Sequence, residues 1–366
     1  MQDKKLIIYF FTIVSLILVP LPLLNIVFFF TISSEKQDFN TKQLFSTDNI
    51  ERIVNYYNYM YRHISLNKDK VIVGKDNFLF LGNKYDDVIN KTEGKHPYTK
   101  QQIEYFSKKL KILQTWYTKK GIEFIIVIAP NKHTIYQDKL PTWIETKKRT
   151  ITDDMVISAK NHHIHLLDLR ETLKTKIADK PLYFLTDTHW NNYGASIAYE
   201  ETIKYINKVY NKNYTSIPYK LKRVNYKSGD LASFLKIKPF LGNHFEKNYL
   251  YIFQNKNPIC YGKVDKNRTL HTCHVEENIT YDIHKTDYYT SNAQAKNKQK
   301  VLFLGDSYIS ANDSLYNQTF KTIWKFHYNH IHGEILSEYI HKNTPDIVIY
   351  QVIERNLYNG NIIDSL

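Results

Sequence analysis

Three residues in this sequence have the types needed for nucleophilic acyl chemistry. Asp187 and His189 flank one residue within the polar and aromatic stretch 186–193. An imidazole can take the proton of a serine hydroxyl, and an adjacent carboxylate holds that imidazole in the required tautomer. Ser307 is the serine that completes the set, since it follows the apolar run 301–304 and a Gly-Asp pair. The sequence therefore predicts a Ser-His-Asp triad that transfers or removes an acyl group.

Each half of this set also has a purely structural interpretation. A Gly-Asp-Ser sequence often forms a turn or a helix cap, and Asp187 would serve equally as a cap for the helix that follows it. Asp306 is a rival partner for His189, although its place beside Ser307 suits it better to hold the turn. The two motifs together, each beside a predicted sheet, favour catalysis.

The elements that must position these residues are helices and buried strands in alternation. Residues 99–120 carry an apolar stripe at helical spacing, and the continuous apolar run 122–129 follows as a strand buried on both faces. Similar strands are predicted at 164–169, 300–304 and 345–352. This alternation predicts a three-layer α/β/α domain with a mainly parallel sheet. Because such sheets bind ligands beyond the carboxyl ends of their strands, Ser307 lies where a nucleophile is expected.

An apolar segment precedes this domain. Residues 6–32 carry no charged side chain and are long enough to cross the ~30 Å hydrocarbon core of a membrane, although Pro20 and Pro22 should kink or divide the helix. Two lysines before it favour a cytoplasmic N-terminus. A cleaved signal peptide is the alternative, but the run is long and no small-residue cleavage site follows. We therefore expect an uncleaved anchor in the inner (cytoplasmic) membrane with an extracytoplasmic, periplasmic domain.

These features give a predicted order of segments. It comprises a cytoplasmic stub (residues 1–5), a transmembrane signal anchor (6–32), a helical linker (33–70) and a catalytic domain (71–366), within which about 210–299 form an irregular β or loop insertion. Residues 71–82 have the pattern of a β-hairpin.

The two cysteines, Cys260 and Cys273, leave more than one possibility open. Outside the cytoplasm they can form a disulfide, and two free thiols are also possible. A metal site is a third alternative because His271 and His274 flank Cys273, but the CxxC spacing typical of such sites is missing. We expect no metal and no cofactor.

The formal net charge of +14 restricts the class of partner. Such a charge suits an acidic polysaccharide, an anionic membrane surface or a nucleic acid. Nucleic acid ranks last, because no arginine-rich stripe and no nucleic-acid-binding motif is present.

The catalytic motifs resemble those of a known family. Asp187-Thr188-His189-Trp190 and the later Gly-Asp-Ser-Tyr block at 305–308 are similar to motifs of the AlgJ/AlgX alginate O-acetyltransferase family, whose members are SGNH-hydrolase-like proteins. Further segments at 74–80, 129–141, 229–231 and 354–355 resemble other blocks of that family. The likeness covers about residues 70–358, and the combination of the two catalytic motifs is its most specific part.

The resemblance implies an O-acetyltransferase that acts on an exported polysaccharide. Ser307 would be the nucleophile that carries the acetyl group, His189 the general base and Asp187 the residue that orients it. The resemblance also implies a membrane-bound O-acyltransferase as the partner that supplies the acetyl group. A carbohydrate acetylesterase with the same triad, and a non-catalytic polysaccharide assembly protein, are the alternatives.

Other residues are candidates for the oxyanion hole or for substrate contacts. The Ser307 backbone N–H and the Asn131 side chain are candidate oxyanion donors, although Asn131 would also suit a turn. Trp190 and Tyr193 have the shape to stack on a sugar ring or to pack beneath the loop. Arg355 is a candidate for binding a sugar carboxylate, and an ion pair with the neighbouring Glu354 is the alternative.

Overall fold

The computed structural model describes residues 2–31, 41–96, 98–264, 273–275 and 286–358. Its strands are β1 Val71–Val73, β2 Leu79–Leu81, β3 Glu123–Ala129, β4 Leu166–Asp168, β5 Tyr219–Tyr226, β6 Glu246–Phe253, β7 Cys260–Lys263, β8 His274–Val275, β9 Tyr288–Ser291, β10 Asn297–Gly305, β11 Phe320–His327 and β12 Ile347–Ile353. Its α-helices are α1 Gln2–Leu18, α2 Pro20–Thr31, α3 Asp48–Tyr57, α4 Val88–Thr92, α5 Lys100–Lys119, α6 Lys132–Ile135, α7 Ile151–Asn161, α8 Arg170–Lys174, α9 Asn192–Tyr210, α10 Asp230–Phe234, α11 Lys238–Leu241, α12 Asp313–Thr319 and α13 Gly333–Asn343.

Eight of the strands form one sheet in the order β4-β3-β12-β10-β11-β9-β7-β8. The five strands from β4 to β11 are parallel to their neighbours, whereas β9, β7 and β8 extend the sheet in antiparallel fashion. The parallel strands β3, β10 and β12 therefore have their carboxyl ends at the same edge of the sheet. The predicted mainly parallel α/β fold is confirmed.

The sheet separates two hydrophobic cores, because successive side chains of a strand point to opposite faces. In β3, Phe124, Ile126 and Ile128 pack with α5, α7 and α13, whereas Ile125 and Val127 pack with α8, α9 and α12 on the other side. All seven residues of β3 and of β12 are buried. Helices therefore cover both faces, which gives the three layers that the alternation predicted.

Local signals fix several of the helix ends that frame the site. Thr99 and Gln102 form a reciprocal capping box at the start of α5, and Gly121 follows its end with a φ of +72° that suits glycine. The predicted hairpin is also present, with Val71 paired to Leu81. At the N-terminus, α1 ends just before Pro20, which begins α2, so the proline divides the apolar helix as expected.

The strand β11 was not predicted, because two lysines interrupt its apolar pattern. Lys325 is 1% exposed, yet it forms an ion pair with Asp313 and donates a hydrogen bond of 3.0 Å to Asn317 Oδ1. Both partners lie on α12, the helix that directly precedes β11, so the lysine is buried against side chains of the preceding element. A buried charge with partners is tolerated in a way that the sequence alone does not reveal.

The predicted insertion at 210–299 is more ordered and more central than expected. Strands β5 and β6 pair along eight residues, and β7, β8 and β9 belong to the main sheet. The helix α10 and the first residue of β6 reach the catalytic motifs. Residues 265–272 and 276–285 of this segment lie outside the described part of the chain.

Candidate active site

The structure brings Asp187, His189 and Ser307 together in one hydrogen-bonded chain. Asp187 Oδ1 lies 2.6 Å from His189 Nδ1, and His189 Nε2 lies 2.7 Å from Ser307 Oγ. The His189 backbone N–H also donates to Asp187 Oδ1 at 2.9 Å. With the Nδ1–H donated to the carboxylate, Nε2 is left to accept the serine proton, which is the arrangement that activates a serine.

The second carboxylate of the site, Asp230, fixes the strand-like turn that carries Asp187 and His189. Its Oδ1 accepts the Thr188 N–H at 2.8 Å, and its own N–H donates to Asp187 Oδ2 at 3.1 Å. A Cβ at Gly229 would overlap the Asp187 side chain, so this close approach requires glycine. The Gly-Asp pair at 229–230 is therefore part of the site, a role that the sequence indicated only by family resemblance.

Two buried charges hold the same loop from opposite sides. Lys132, 2% exposed, donates from Nζ to the carbonyls of Leu79 (2.8 Å), Leu185 (2.8 Å) and Asp187 (3.1 Å). Glu246, 4% exposed, accepts the N–H groups of Leu185 (2.9 Å) and Thr186 (2.5 Å) and the Thr186 hydroxyl. We call this pair, Lys132 and Glu246, the loop clamp. Sequence reasoning missed both roles, because neither residue lies within a catalytic motif.

The nucleophile follows directly from the end of β10. The short 3-10 turn 307–311 begins at Ser307, and Asp306 Oδ1 caps it by accepting the Tyr308 N–H at 3.0 Å. Asp306 Oδ2 accepts the Ile353 N–H at 2.9 Å, which ties the turn to the end of β12. Asp306 thus holds the turn, as its position suggested. The turn is followed by α12, a helix of only 7 residues, instead of a long helix starting at the serine.

Trp190 is part of the packing beneath the triad. It is 0% exposed, and its Nε1–H donates to the Tyr308 carbonyl at 2.9 Å. The Tyr308 hydroxyl in turn donates to the Thr188 carbonyl at 2.7 Å. These bonds join the loop of His189 to the turn of Ser307. The complete burial of Trp190 contradicts a sugar-stacking role and supports the packing alternative.

Tyr193 also lies away from the triad. Its ring is 5.8 Å from that of Tyr249 and lies beneath the Lys180 ammonium, and its hydroxyl is 3.4 Å from Asp179 Oδ2. It does not line the cavity at Ser307 within the described part of the chain. A stacking role for Tyr193 next to the nucleophile is therefore not supported.

A cavity of about 410 Å³ opens at the triad. Its lining includes the catalytic residues His189 and Ser307 together with Leu81, Tyr85, Thr188, Asp230, Phe234, Asp306, His327, Tyr328, Asn329, Ile353, Arg355 and Asn356. The volume is within the range of small-molecule sites, and one part of its wall is aromatic while another is polar. The site can therefore hold an acyl group and part of a larger acceptor.

The charges around the imidazole favour its protonated form. Burial lowers the pKa of His189, but the Asp187 carboxylate outweighs this effect, and the net pKa is above the ordinary value. Burial raises the pKa of Asp187, but the charge and the hydrogen bonds of His189 lower it by more. The net pKa is below the ordinary value, so Asp187 stays ionised. The pKa of Asp230 is raised by burial and by the nearby Asp187. This pattern suits a base that must hold a proton during the reaction.

Asp187, His189 and Asp230 also offer three donor atoms within 4.8 Å of one another, the only such group in the described ranges. Two of these groups already have hydrogen-bonding partners, since Asp187 Oδ1 faces His189 Nδ1 and Asp230 Oδ1 accepts the Thr188 N–H. A metal ion there would compete with the hydrogen bond that orients His189. The geometry thus fits a triad better than a metal centre.

Arg355 and Asn131 contact each other, and the predicted Arg355–Glu354 ion pair is wrong. Arg355 Nη1 lies 3.3 Å from Asn131 Oδ1, and its Nε lies 3.4 Å from Asp86 Oδ2. Glu354 turns away to accept the Asn131 N–H at 2.9 Å and lies 3.8 Å from Arg170. Residues adjacent on a strand exit point in different directions, so Arg355 enters the cavity while Glu354 is buried.

Asn131 is 4% exposed and does not line the cavity within the described ranges. Its side-chain oxygen faces Arg355. A direct role as an oxyanion donor is not supported by this placement, and the Ser307 N–H at the start of its 3-10 turn stays the candidate. Cys260 and Cys273 are joined in a disulfide with Cα atoms 5.4 Å apart, while His271 lies outside the described residues.

Comparison with known proteins places this geometry in a family. Residues 71–251 match the model of the SGNH hydrolase-like domain of the acetyltransferase AlgX. This range includes Asp187, His189 and Asp230. The chain thus carries an AlgX-type SGNH hydrolase-like domain, and the resemblance seen in its motifs is confirmed. The match agrees with an SGNH-like O-acetyltransferase as the class of protein. No curated protein matches the sequence.

Solved structures share the fold. Bacillus cereus PatB1 is 18% identical, with a TM-score of 0.59 over 79% of this chain and 97% of that one. A DHHW family protein from Eubacterium siraeum DSM 15702 is 15% identical, with a TM-score of 0.51 over 71% and 88%. The O-acetyltransferase domain of Pseudomonas putida AlgJ is 17% identical, with a TM-score of 0.48 over 79% and 92%. The first two likenesses agree with the α/β fold described above.

Proposed function

We propose that this protein is an extracytoplasmic O-acetyltransferase that transfers an acetyl group, by way of an acetyl-serine, to hydroxyls of an exported cell-surface polysaccharide. The observation that carries the proposal is the hydrogen-bonded chain Asp187–His189–Ser307 at the cavity. The match of residues 71–251 to the AlgX-type domain supports it. The comparisons support acetyl transfer as the chemistry. The polysaccharide is the acceptor that the family resemblance implies.

In the first half of the reaction Ser307 takes the acetyl group from the donor. His189 Nε2 accepts the hydroxyl proton while Ser307 Oγ attacks the acetyl carbonyl, and the Ser307 N–H is placed to donate to the oxyanion that forms. The bond to the donor then breaks, and His189 returns the proton to the leaving group. The products are acetyl-Ser307 and the deacetylated donor.

The second half repeats these steps with the sugar hydroxyl as the nucleophile. His189 takes the hydroxyl proton, the sugar oxygen attacks the ester carbonyl of acetyl-Ser307, and Ser307 Oγ leaves and regains the proton from His189. Asp187 keeps its proton-free form throughout and stabilises the imidazolium. After both halves the triad has its starting protonation state again, because the Ser307 proton has left with the donor and the proton of the sugar hydroxyl has replaced it.

The N-terminal segment supports a place at the membrane. The helical stretch Lys4–Thr31 has 28 residues and a mean hydropathy of 2.6 in its most apolar window, which is enough to cross a membrane, although a signal sequence meets the same criterion. We propose residues 6–32 as the anchor, 33–70 as the linker and 71–366 as an extracytoplasmic catalytic domain. A membrane-bound O-acyltransferase would then supply acetyl groups from the same membrane.

The proposal is tested by measuring the acetyl content of the surface polysaccharide in cells that express the wild-type chain or Ser307→Ala. We expect acetylation with the wild type and its loss with the variant at equal protein level. Unchanged acetyl content would refute the proposal. The acetylesterase alternative makes a different prediction, because purified wild-type protein would then release acetate into water faster than it transfers acetyl groups to oligosaccharide.

A further inference from the structure

Two stacked aromatic side chains form one wall of the catalytic cavity. The rings of Tyr85 and Phe234 lie 5.4 Å apart at an interplanar angle of 10°, and both line the cavity that contains Ser307. Phe234 is 41% exposed, a large value for a phenylalanine next to a reactive serine. We call this pair the aromatic wall. Neither residue belongs to a catalytic motif.

Several other residues that line the cavity have polar side chains. His327 ends β11 and Asn329 follows it, whereas Arg355 and Asn356 lie in the 3-10 turn that follows β12. Arg355 is held by Asn131 and lies near Asp86, so its position is fixed before any ligand arrives. A cavity with one aromatic side and one side of hydrogen-bonding groups matches the two kinds of surface on a pyranose ring.

A pyranose presents a face of C–H groups and an edge of hydroxyls. The face buries well against an aromatic ring, and the edge requires polar partners. We propose that the aromatic wall is the acceptor subsite, where Tyr85 and Phe234 support the C–H face of the sugar whose hydroxyl attacks acetyl-Ser307. This inference rests on the proposed function and names the residues that bind its acceptor.

The position of Phe234 couples this subsite to the catalytic residues. Phe234 ends α10, and Asp230, which begins the same helix, is bonded to the loop of Asp187 and His189. A sugar on the aromatic wall would therefore lie against the element that orients the base. The competing structural explanation is that Tyr85 and Phe234 only hold α10 in place, and this explanation predicts a loss of stability instead of a loss of acceptor affinity.

Binding separates the two explanations. The probe is an oligosaccharide prepared from the de-O-acetylated surface polysaccharide of the producing cell, titrated into the full chain carrying Ser307→Ala so that no transfer occurs. We expect Phe234→Ala and Tyr85→Ala to weaken the affinity by about five-fold or more, and Phe234→Trp to retain it. Tyr105→Ala removes an aromatic ring that is 60% exposed on α5 and serves as the matched control, with unchanged affinity.

Transfer kinetics give a second measurement. In otherwise wild-type chain, Phe234→Ala should raise the KM for the oligosaccharide while kcat changes by less than about two-fold. Unchanged affinity and KM in a folded Phe234→Ala protein would overturn the inference. So would a changed preference for acyl chain length, because the wall would then bind the donor. If the wild type transfers no acetyl group to any oligosaccharide, the proposed function itself fails; the subsite alone fails if transfer is normal and the variants match wild type.

Discussion

His189 lies between an ionised carboxylate and a serine hydroxyl, and this setting decides its chemistry. The charge of Asp187 outweighs the effect of burial and keeps the pKa of His189 above the ordinary value of about 6.5. A base of this kind takes a proton readily, but it must be deprotonated before it can activate Ser307. The rate should consequently fall on the acid side of the His189 pKa.

This relation predicts the pH dependence of ester hydrolysis. We expect kcat/KM to rise with pH through an apparent pKa above about 6.5 and then to level off. The negative charge of Asp230 also raises the pKa of His189, so Asp230→Asn should move the acid limb to lower pH while the amide oxygen still accepts the Thr188 N–H. A pH–rate profile of wild type and variant checks this. A shift to higher pH would contradict the electrostatic account.

Asp187 orients the His189 imidazole, and a substitution can test this role by itself. Asp187→Asn keeps the size of the side chain but removes the acceptor that selects the His189 tautomer, so we expect kcat to fall by about 10³-fold or more. The free energy of unfolding, measured by denaturant titration, should change far less than the rate. A kcat within ten-fold of wild type would exclude Asp187 as the orienting residue.

The sequence was sufficient to predict the triad but not its surroundings. Asp187, His189 and Ser307 were recognisable because they form two compact motifs, and because Ser307 follows a predicted strand. The partners of Arg355 were not predictable, since Asp86 and Asn131 come from distant loops. For the same reason, the burial of Trp190 against Tyr308 could not be separated from exposure on the sequence alone.

At the scale of elements, the loop clamp explains how an irregular loop keeps a catalytic geometry. Lys132 at the start of α6 binds carbonyl groups, and Glu246 at the start of β6 binds N–H groups of the same loop. Burial lowers the pKa of Lys132 to about 8, while Glu246 is the first of several carboxylates that oppose this shift. Each charge is thus buried with hydrogen-bonding partners, as buried charges generally require.

The clamp predicts strong coupling between its two members. Lys132→Met should reduce the free energy of unfolding by about 3 kcal/mol or more, since it leaves three carbonyl groups without their donor and removes the positive charge that opposes Glu246. The double variant Lys132→Met/Glu246→Gln should lose less stability than the sum of the single losses. Denaturant titration of all four proteins measures this. Strict additivity would show that the two charges act independently.

The Cys260–Cys273 disulfide connects two further elements of the fold. It joins β7 to the residue before β8, across 13 positions at the antiparallel edge of the sheet. In the loop-entropy model its removal by Cys260→Ala/Cys273→Ala should cost about 3 kcal/mol of unfolding free energy. The pair lies away from the triad, so ester hydrolysis at low temperature should persist. Equal stability in reducing and oxidising buffer would contradict a stabilising role.

The helices and strands that were predicted correctly are those whose own apolar pattern is enough to define them. Strands β3, β10 and β12 are apolar on both faces, and α5 has a clear stripe, so each was evident. By contrast, β9 and β11 depend on partners elsewhere, such as Asp313 for Lys325. The residues 210–299 looked irregular because their contacts with the catalytic loop, through Asp230 and Glu246, are made across long sequence separations.

In the whole molecule, the N-terminal apolar segment packs on the domain that follows it. Asn25 Nδ2 of α2 donates to the carbonyls of Leu44 (2.7 Å) and Ser46 (3.0 Å), and Phe28 is 5.6 Å from Phe240 of α11. If residues 6–32 anchor the chain as proposed, this packing keeps the domain close to its anchor.

This packing predicts that a substitution of Phe240 affects acetylation in cells without affecting ester hydrolysis. Phe240 also stacks on Tyr56 of α3, with ring centroids 4.8 Å apart. Phe240→Ala should loosen the domain from the anchor, so we expect polysaccharide acetylation in cells to fall by several-fold. Hydrolysis of a small acetyl ester by the full chain in detergent should change by less than about two-fold. Tyr105→Ala is the matched control. Equal losses in both assays would instead indicate general unfolding.

The central claim, that Ser307 carries the acetyl group, is tested most directly by mass spectrometry of the full chain after brief reaction with a chromogenic acetyl ester and acid quenching. The account predicts that the peptide containing Ser307 gains the mass of one acetyl group, that the gain is lost in Ser307→Ala, and that adding oligosaccharide discharges it. Product formation at the wild-type rate by Ser307→Ala, or an acetyl group found on another residue, would contradict it.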